Sequence, residues 1–164
     1  MEIFSKLSLT GFLLHHLLLV FFNPAFASAD ADVDFILSAK NPPTGIIFEV
    51  VESGEKDLEF ALKKIAEYSE KLKSKIPSIK LAVVSHGTEQ FALLKENQKR
   101  YKNTHQKVRL LTSDDVPVSI CGTHASWYSF SKDDFPEYVD VAETGPKKIR
   151  EYQRLGYALI KIEL

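Results

Sequence analysis

Five short apolar runs, separated by segments of helical periodicity, constrain the fold of this chain more than any other feature. The runs lie at 45–51, 80–85, 116–120, 138–142 and 157–162. Between the first two, Leu58, Leu62, Ile65 and Leu72 recur at spacings that place them on one face of a helix over 55–75. Such alternation is typical of a parallel sheet covered by helices. We therefore predict a single α/β domain with a mostly parallel sheet of about five strands, flanked by helices on both faces.

The remaining segments give weaker patterns. Thr88 is a suitable N-cap for a helix that runs through Phe91 and Leu94. The polar stretch 95–106 fits either a frayed helix or a loop, and we expect His105 within it to be solvated. A short helix is predicted over 125–130. A further helix begins at Gly145-Pro146 and ends at Gly156, because proline suits the first turn of a helix and glycine its end.

The first 27 residues have the three parts of a secretory signal peptide. Lys6 supplies a positive charge, residues 9–22 are almost entirely apolar, and Ala25-Phe26-Ala27 fits a cleavage site. The alternative is an uncleaved anchor, but the run of about 14 residues is shorter than the roughly 20 that span a bilayer. We expect residues 1–27 to be the signal, 28–44 a mostly flexible leader and 45–164 the domain. Four apolar residues of the leader can still dock on the domain: Val33, Phe35, Ile36 and Leu37. The mature protein would be periplasmic or secreted, with no membrane span.

Charge and cysteine content exclude two further classes of protein. The net charge is −1, and the basic residues are interleaved with acidic ones. Binding to a nucleic acid backbone calls for a clustered basic excess, so no nucleic acid partner is expected. Cys121 is the single cysteine, so no internal disulfide can form. The domain must be held together by its core.

Two predicted strand ends carry side chains that can take part in a reaction or bind a ligand. In open α/β sheets, ligands bind at the carboxyl ends of the strands. The second strand ends before His86 and Gly87, and the third ends at Cys121. Cys121 lies where a strand passes into a helix, a position whose free N–H groups favour a thiolate. His124, three residues later, is close enough to donate to the sulfur. We predict Cys121 and His124 as catalytic residues, and as ligand-binding residues Gly122, Thr123, His86, Gly87 and Trp127.

Other interpretations of these residues stay open. Cys121 can be a buried residue that packs like a small apolar side chain. Cys121, His124 and His86 can also be metal ligands, but structural zinc sites usually need four closely specified ligands, so no metal or cofactor is predicted. The aromatic residues around Trp127 can belong to the core, to a pocket wall or to a subunit contact.

The chain also resembles the DsrE/DsrF-like family, which includes sulfur-relay subunits of the DsrE and TusD kind. The resemblance covers about residues 45–164 and depends on the order of four features. These are a first strand leading into a long helix, then Val83-Val84-Ser85-His86-Gly87, then Val118-Ser119-Ile120-Cys121-Gly122-Thr123, and finally the segments 139–149 and 153–160.

This resemblance implies a compact α/β domain that assembles into homotrimers or homohexamers. It also implies that Cys121 matches the cysteine on which sulfur-relay members carry persulfide sulfur. An exported protein that binds or transfers sulfane sulfur, with a sulfur donor or acceptor protein as partner, is the expected function. The alternative is a non-catalytic oligomeric module of the same fold that binds a small ligand or a metal.

Export is the first testable prediction. Because the cleavage pattern ends at Ala27, N-terminal sequencing of the protein recovered from the periplasm or medium should begin at or near Ser28. Recovery from the cytoplasm with Met1 intact would contradict it.

Overall fold

A computed structural model of the chain describes residues 28–164. The predicted signal peptide lies outside the described residues. The α-helices and β-strands are, in order, α1 (Ala29–Ser38), β1 (Gly45–Val50), α2 (Asp57–Lys75), β2 (Lys80–Ser85), α3 (Lys102–Ser113), β3 (Val118–Cys121), α4 (Gly122–Trp127), β4 (Asp140–Ala142), α5 (Gly145–Arg154) and β5 (Tyr157–Ile162). Three short 3₁₀ helices span Thr88–Leu93, Lys95–Asn97 and Lys132–Asp134.

All five strands form one parallel sheet in the order β4-β3-β2-β1-β5. The predicted fold class is therefore confirmed, and the sheet is parallel throughout. The first four strands follow one another across the sheet, after which β5 returns to the free side of β1. Since parallel crossovers are right-handed, this reversal places α5 on the face opposite to α2 and α3.

The two faces of the sheet are covered unequally. On one face Ile46 and Phe48 belong to a large core that includes Leu62 of α2 and Val108 of α3. On the other face a small cluster packs against α5 and consists of Ile47, Ala82, Val84 and Ile149. Ser119 faces this second side as well, because its neighbours on β3, Val118 and Ile120, belong to the large core. Its hydroxyl donates to Asp140 on the edge strand β4 at 2.9 Å.

The prediction of a flexible leader over 28–44 is wrong for residues 29–38, which form α1. The Ser28 side chain caps this helix by accepting a hydrogen bond from the N–H of Ala31 at 3.3 Å. Val33 and Ile36 are buried in the large core. Asp30 and Asp32 lie in the first turn of the helix, where negative charge is favourable.

Residues 88–113 also differ from the sequence-based expectation. Thr88–Leu93 is a 3₁₀ helix, and the polar stretch contains a second 3₁₀ turn followed by the first part of α3. The prediction that His105 is solvated is wrong, since it is 2% exposed. Its Nδ1 is hydrogen-bonded to the Tyr138 hydroxyl, and burial lowers the pKa of the imidazole. His105 lies one turn before Val108 on the inner side of α3, where the sequence pattern shows few apolar neighbours.

Within residues 28–164, no helix combines the length and the apolar character needed to cross a bilayer.

Candidate functional site

Cys121 lies at the carboxyl edge of the sheet, as the last residue of β3 and the N-cap of α4. Its Sγ accepts a hydrogen bond from the backbone N–H of His124 at 3.3 Å. The residue is 6% exposed. The sulfur thus occupies the place that a serine or aspartate oxygen takes in an ordinary N-cap, where an N–H donor stabilises negative charge.

The fully buried amide of Gln90 holds the backbone of Cys121. The N–H of Cys121 donates to Oε1 of Gln90 at 2.9 Å, and Nε2 of Gln90 donates to the carbonyl of Cys121 at 3.4 Å. A side-chain amide therefore makes the two bonds that a neighbouring strand would make, at the point where β3 ends. This fixes the position of the sulfur relative to the sheet.

The preceding residue, Glu89, ties the ends of β1 and β2 in a similar way. Its carboxylate accepts hydrogen bonds from the Ser85 hydroxyl at 2.7 Å, from the N–H of Glu52 at 2.8 Å and from the N–H of Gly87 at 3.0 Å. Burial raises the pKa of Glu89, and the hydrogen bonds to the carboxylate oppose that shift.

The ring of His124 is directed at β2 rather than at the sulfur. Its Nδ1 lies 2.9 Å from the backbone carbonyl of His86. Because a carbonyl only accepts, Nδ1 carries the hydrogen, and in the neutral ring Nε2 keeps the lone pair. The rings of Phe91, Trp127 and Tyr128 surround the imidazole at centroid distances of 5.5, 5.4 and 5.5 Å. The backbone of His124 thus supports the sulfur, and its ring is fixed by the bond to the carbonyl of His86.

Ser85, the last residue of β2, pairs with Ile120 of β3. His86 and Cys121 are the next residues along these two strands, and both therefore lie at the carboxyl edge of the sheet. Its Nε2 is 2.8 Å from Oε1 of Glu49, and the second oxygen of Glu49 lies 3.9 Å from Nζ of Lys161. The hydrogen bond from His86 lowers the pKa of Glu49 despite its burial. The side chain predicted to bind a ligand is therefore engaged with a carboxylate on β1.

The three small residues predicted near the ligand have structural roles. A Cβ on Gly87 would come within 2.2 Å of Oε2 of Glu89, so only glycine fits there. A Cβ on Gly122 would lie 2.9 Å from the carbonyl of Ala142. Thr123 donates twice to the carbonyl of Glu143, from its N–H at 3.0 Å and its hydroxyl at 2.8 Å. The N–H groups of Gly87 and Thr123 are thus already engaged.

Trp127 is not a core residue, since it is 74% exposed at the end of α4. Tyr128 beside it is 52% exposed. Across residues 28–164, no group of three or more His, Cys, Asp or Glu side chains is arranged to hold a metal ion. His86, Cys121 and His124 are brought to one edge, but their polar atoms are directed at different partners.

The architecture recurs in solved structures. A protein of unknown function from Methanobacterium thermoautotrophicum, MTH1491, superposes with a TM-score of 0.58 and 21% sequence identity, over 71% of this chain and 97% of that chain. The ychN protein from E. coli gives a TM-score of 0.52 and 16% identity, over 72% and 99% of the respective chains. The chain shares their fold. No protein-family model and no curated protein sequence matches it.

The Gln90 clamp gives a testable prediction. The substitution Gln90→Met removes both hydrogen bonds and leaves the N–H of Cys121 buried without a partner, which should lower the free energy of unfolding by about 1–3 kcal/mol. Urea denaturation measures the change. The exposed Gln98→Met is the matched control. Equal midpoints for the two variants would show that the clamp does not stabilise the fold.

Proposed function

We propose that this protein is an exported member of the DsrE/DsrF-like family that accepts and donates sulfane sulfur on Cys121. The observation that carries the proposal is the position of Sγ as the N-cap of α4, with the His124 N–H donating to it. An N–H donor stabilises a thiolate more than a neutral thiol, and the thiolate is the nucleophile. The shared fold and the motif around residues 118–123 support family membership.

The proposed reaction needs no cofactor. The Cys121 thiolate attacks the outer sulfur of a persulfide or polysulfide, a new S–S bond forms, and the S–S bond of the donor breaks. The donor leaves as a thiolate and is reduced by two electrons, while Cys121 is oxidised to a persulfide. In the second half, an acceptor thiolate attacks the outer sulfur and regenerates the Cys121 thiolate.

His124 is the proposed proton acceptor of this cycle. With Nδ1 bonded to the His86 carbonyl and the ring directed away from the sulfur, Nε2 is the nitrogen that takes the thiol proton through a bridging water and returns it to the leaving thiolate by the same route. Because Cys121 is only 6% exposed, small linear donors such as hydropolysulfide reach its sulfur more readily than bulky ones. The same restricted access protects a lone thiol in an oxidising compartment, where we propose that the protein acts.

The test is persulfidation of Cys121. Intact mass spectrometry after incubation with sodium polysulfide should show the mass of one added sulfur atom, lost on treatment with dithiothreitol and missing in Cys121→Ser. A folded protein that stays unmodified until it is denatured would mean that Cys121 is only a packing residue.

The roles of the backbone and the ring of His124 can be separated. His124→Ala keeps the N–H that contacts the sulfur and removes the imidazole. Alkylation of Cys121 by iodoacetamide at neutral pH should slow by about tenfold in this variant, because the proton acceptor is lost. Phe60→Ala, which removes an exposed ring on α2, is the control. Equal rates for the wild type and both variants would contradict the role of the ring.

The exposed aromatic residues favour a second candidate function. Trp127 and Tyr128 are 74% and 52% exposed at the same edge. A non-catalytic oligomeric module of this fold would cover them with a neighbouring subunit and hold a small ligand or a metal between subunits. In that case polysulfide would leave Cys121 unmodified.

Both candidate functions predict that the protein self-associates. We expect light scattering to give a homotrimer or homohexamer, and we expect Trp127→Ala combined with Tyr128→Ala to lower the mass toward the monomer. Phe60→Ala, which removes a ring 61% exposed on α2, should leave the assembly unchanged. A monomeric wild type at tens of micromolar would contradict the expectation.

A further inference from the structure

An open cavity of about 460 Å³ is lined in part by Phe91 and Tyr128, two of the rings that pack on His124. It is formed by the loop that follows β1, by the first two 3₁₀ helices and by the turn after α4. Its lining consists of Ser53, Glu55, Thr88, Phe91, Leu94, Glu96, Asn97, Tyr128 and Phe130. This volume is within the range of small-ligand pockets, and apart from Phe91 and Tyr128, which pack on the His124 ring, the lining residues have no role in the reaction proposed above.

The charged groups of the cavity all have one sign. Glu55 and Glu96 are acidic, and none of the nine lining residues, all within the described part of the chain, is basic. Neither carboxylate forms an ion pair with any residue of the segment 28–164. The neighbouring Glu55 carboxylate raises the pKa of Tyr101.

Two neutral polar side chains of the cavity, Thr88 and Asn97, present oxygen acceptors. The Thr88 hydroxyl gives its hydrogen to the carbonyl of Ser53 at 2.5 Å. The amide nitrogen of Asn97 donates to the carbonyl of Phe91 at 2.9 Å, which leaves Oδ1 of Asn97 as an acceptor. A ligand that fits this lining therefore carries hydrogen-bond donors and positive charge.

Three aromatic rings complete the lining. Phe91 packs against Tyr128 with ring centroids 4.9 Å apart and against Phe130 at 5.4 Å, both in tilted arrangements. Aromatic faces carry negative electrostatic potential and attract cations, especially where water is partly excluded. Rings and carboxylates thus favour the same kind of ligand.

We propose that this cavity binds a guanidinium group. A guanidinium is planar, stacks on aromatic rings, is weakly hydrated and presents five donors to carboxylates and carbonyl oxygens. An ammonium group is more strongly hydrated and lacks the planar face, so it fits the combination of rings and acceptors less well. The proposal does not depend on the chemistry of Cys121.

The test is calorimetric titration of the full-length folded protein with capped arginine, Nα-acetyl-arginine amide. Binding should be detectable at millimolar concentrations and should weaken as salt increases. Capped citrulline has nearly the same shape without charge, and it should bind at least about tenfold more weakly, as should capped lysine. Equal binding of citrulline, or no binding of capped arginine, would overturn the proposal.

Paired variants assign the binding to the cavity. Glu55→Gln combined with Glu96→Gln keeps the side-chain shape and removes both charges, and affinity for capped arginine should fall by about tenfold. Glu70→Gln combined with Glu151→Gln changes the net charge equally at exposed positions elsewhere and should bind like the wild type. Thermal melting shows whether each variant is folded. Retained affinity in a folded Glu55→Gln, Glu96→Gln protein would place the binding elsewhere and overturn the assignment.

The source of the guanidinium is distinguished with two further probes. If the natural ligand is an arginine of a partner protein, arginine-centred tripeptides should bind more tightly than methylguanidinium. If it is a small molecule, the two should bind equally. Both results support a guanidinium site, and both are independent of whether polysulfide modifies Cys121.

Discussion

The hydrogen bonds of two consecutive buried side chains, Glu89 and Gln90, determine the geometry of the carboxyl edge of the sheet. Glu89 collects donors from the ends of β1 and β2, and Gln90 holds the backbone of Cys121 at the end of β3. Burying a carboxylate and an amide is costly unless their hydrogen-bonding capacity is used, and here it is used on backbone groups that the sheet no longer pairs. The sulfur, the His124 ring and the nearby aromatic cavity are all placed relative to this framework.

The reversal of chain direction at β5 explains why the two faces of the sheet differ. The connections through α2 and α3 build the large core, while α5 crosses back on the opposite face. Glu49 lies on that thinly covered side, in register with Lys161 on β5. An ionisable residue in an apolar strand is tolerated there because Lys161 supplies compensating charge and His86 a hydrogen bond.

The strands and the long helix could be predicted because their signals are local. The spacing of apolar residues alone predicts strand β2 and the buried face of α2. The junction of β3 and α4 lies at Cys121, as expected. The roles of Glu89 and Gln90 could not be read, since their partners are up to 37 positions away in sequence. Glu49 is a lone charged residue within a buried apolar run, which indicates that it needs a polar partner. That partner, His86, is identified only by the sheet register.

Two errors have one physical cause. The predictions of a flexible segment at 29–38 and of a solvated His105 rest on the polarity of the neighbouring residues. Both are wrong because the inner face of a helix is covered there by distant parts of the chain. The direction of the His124 ring was missed for a related reason. The carbonyl that fixes it belongs to His86 on another strand, and sequence spacing alone places the ring near the sulfur.

The shortness of α4 has a consequence for the dynamics of the chain. The backbone of Cys121 is held from the sheet side by Gln90, whereas its sulfur is held by the first turn of a six-residue helix. Short helices open at lower free energy than the strands they follow, so the two restraints belong to different cooperative units. Fraying of α4 would release the sulfur and its N–H donor together while β3 stays paired. Exchange of the His124 amide with solvent and exposure of the thiol would then be one local event, governed by a smaller free energy than global unfolding.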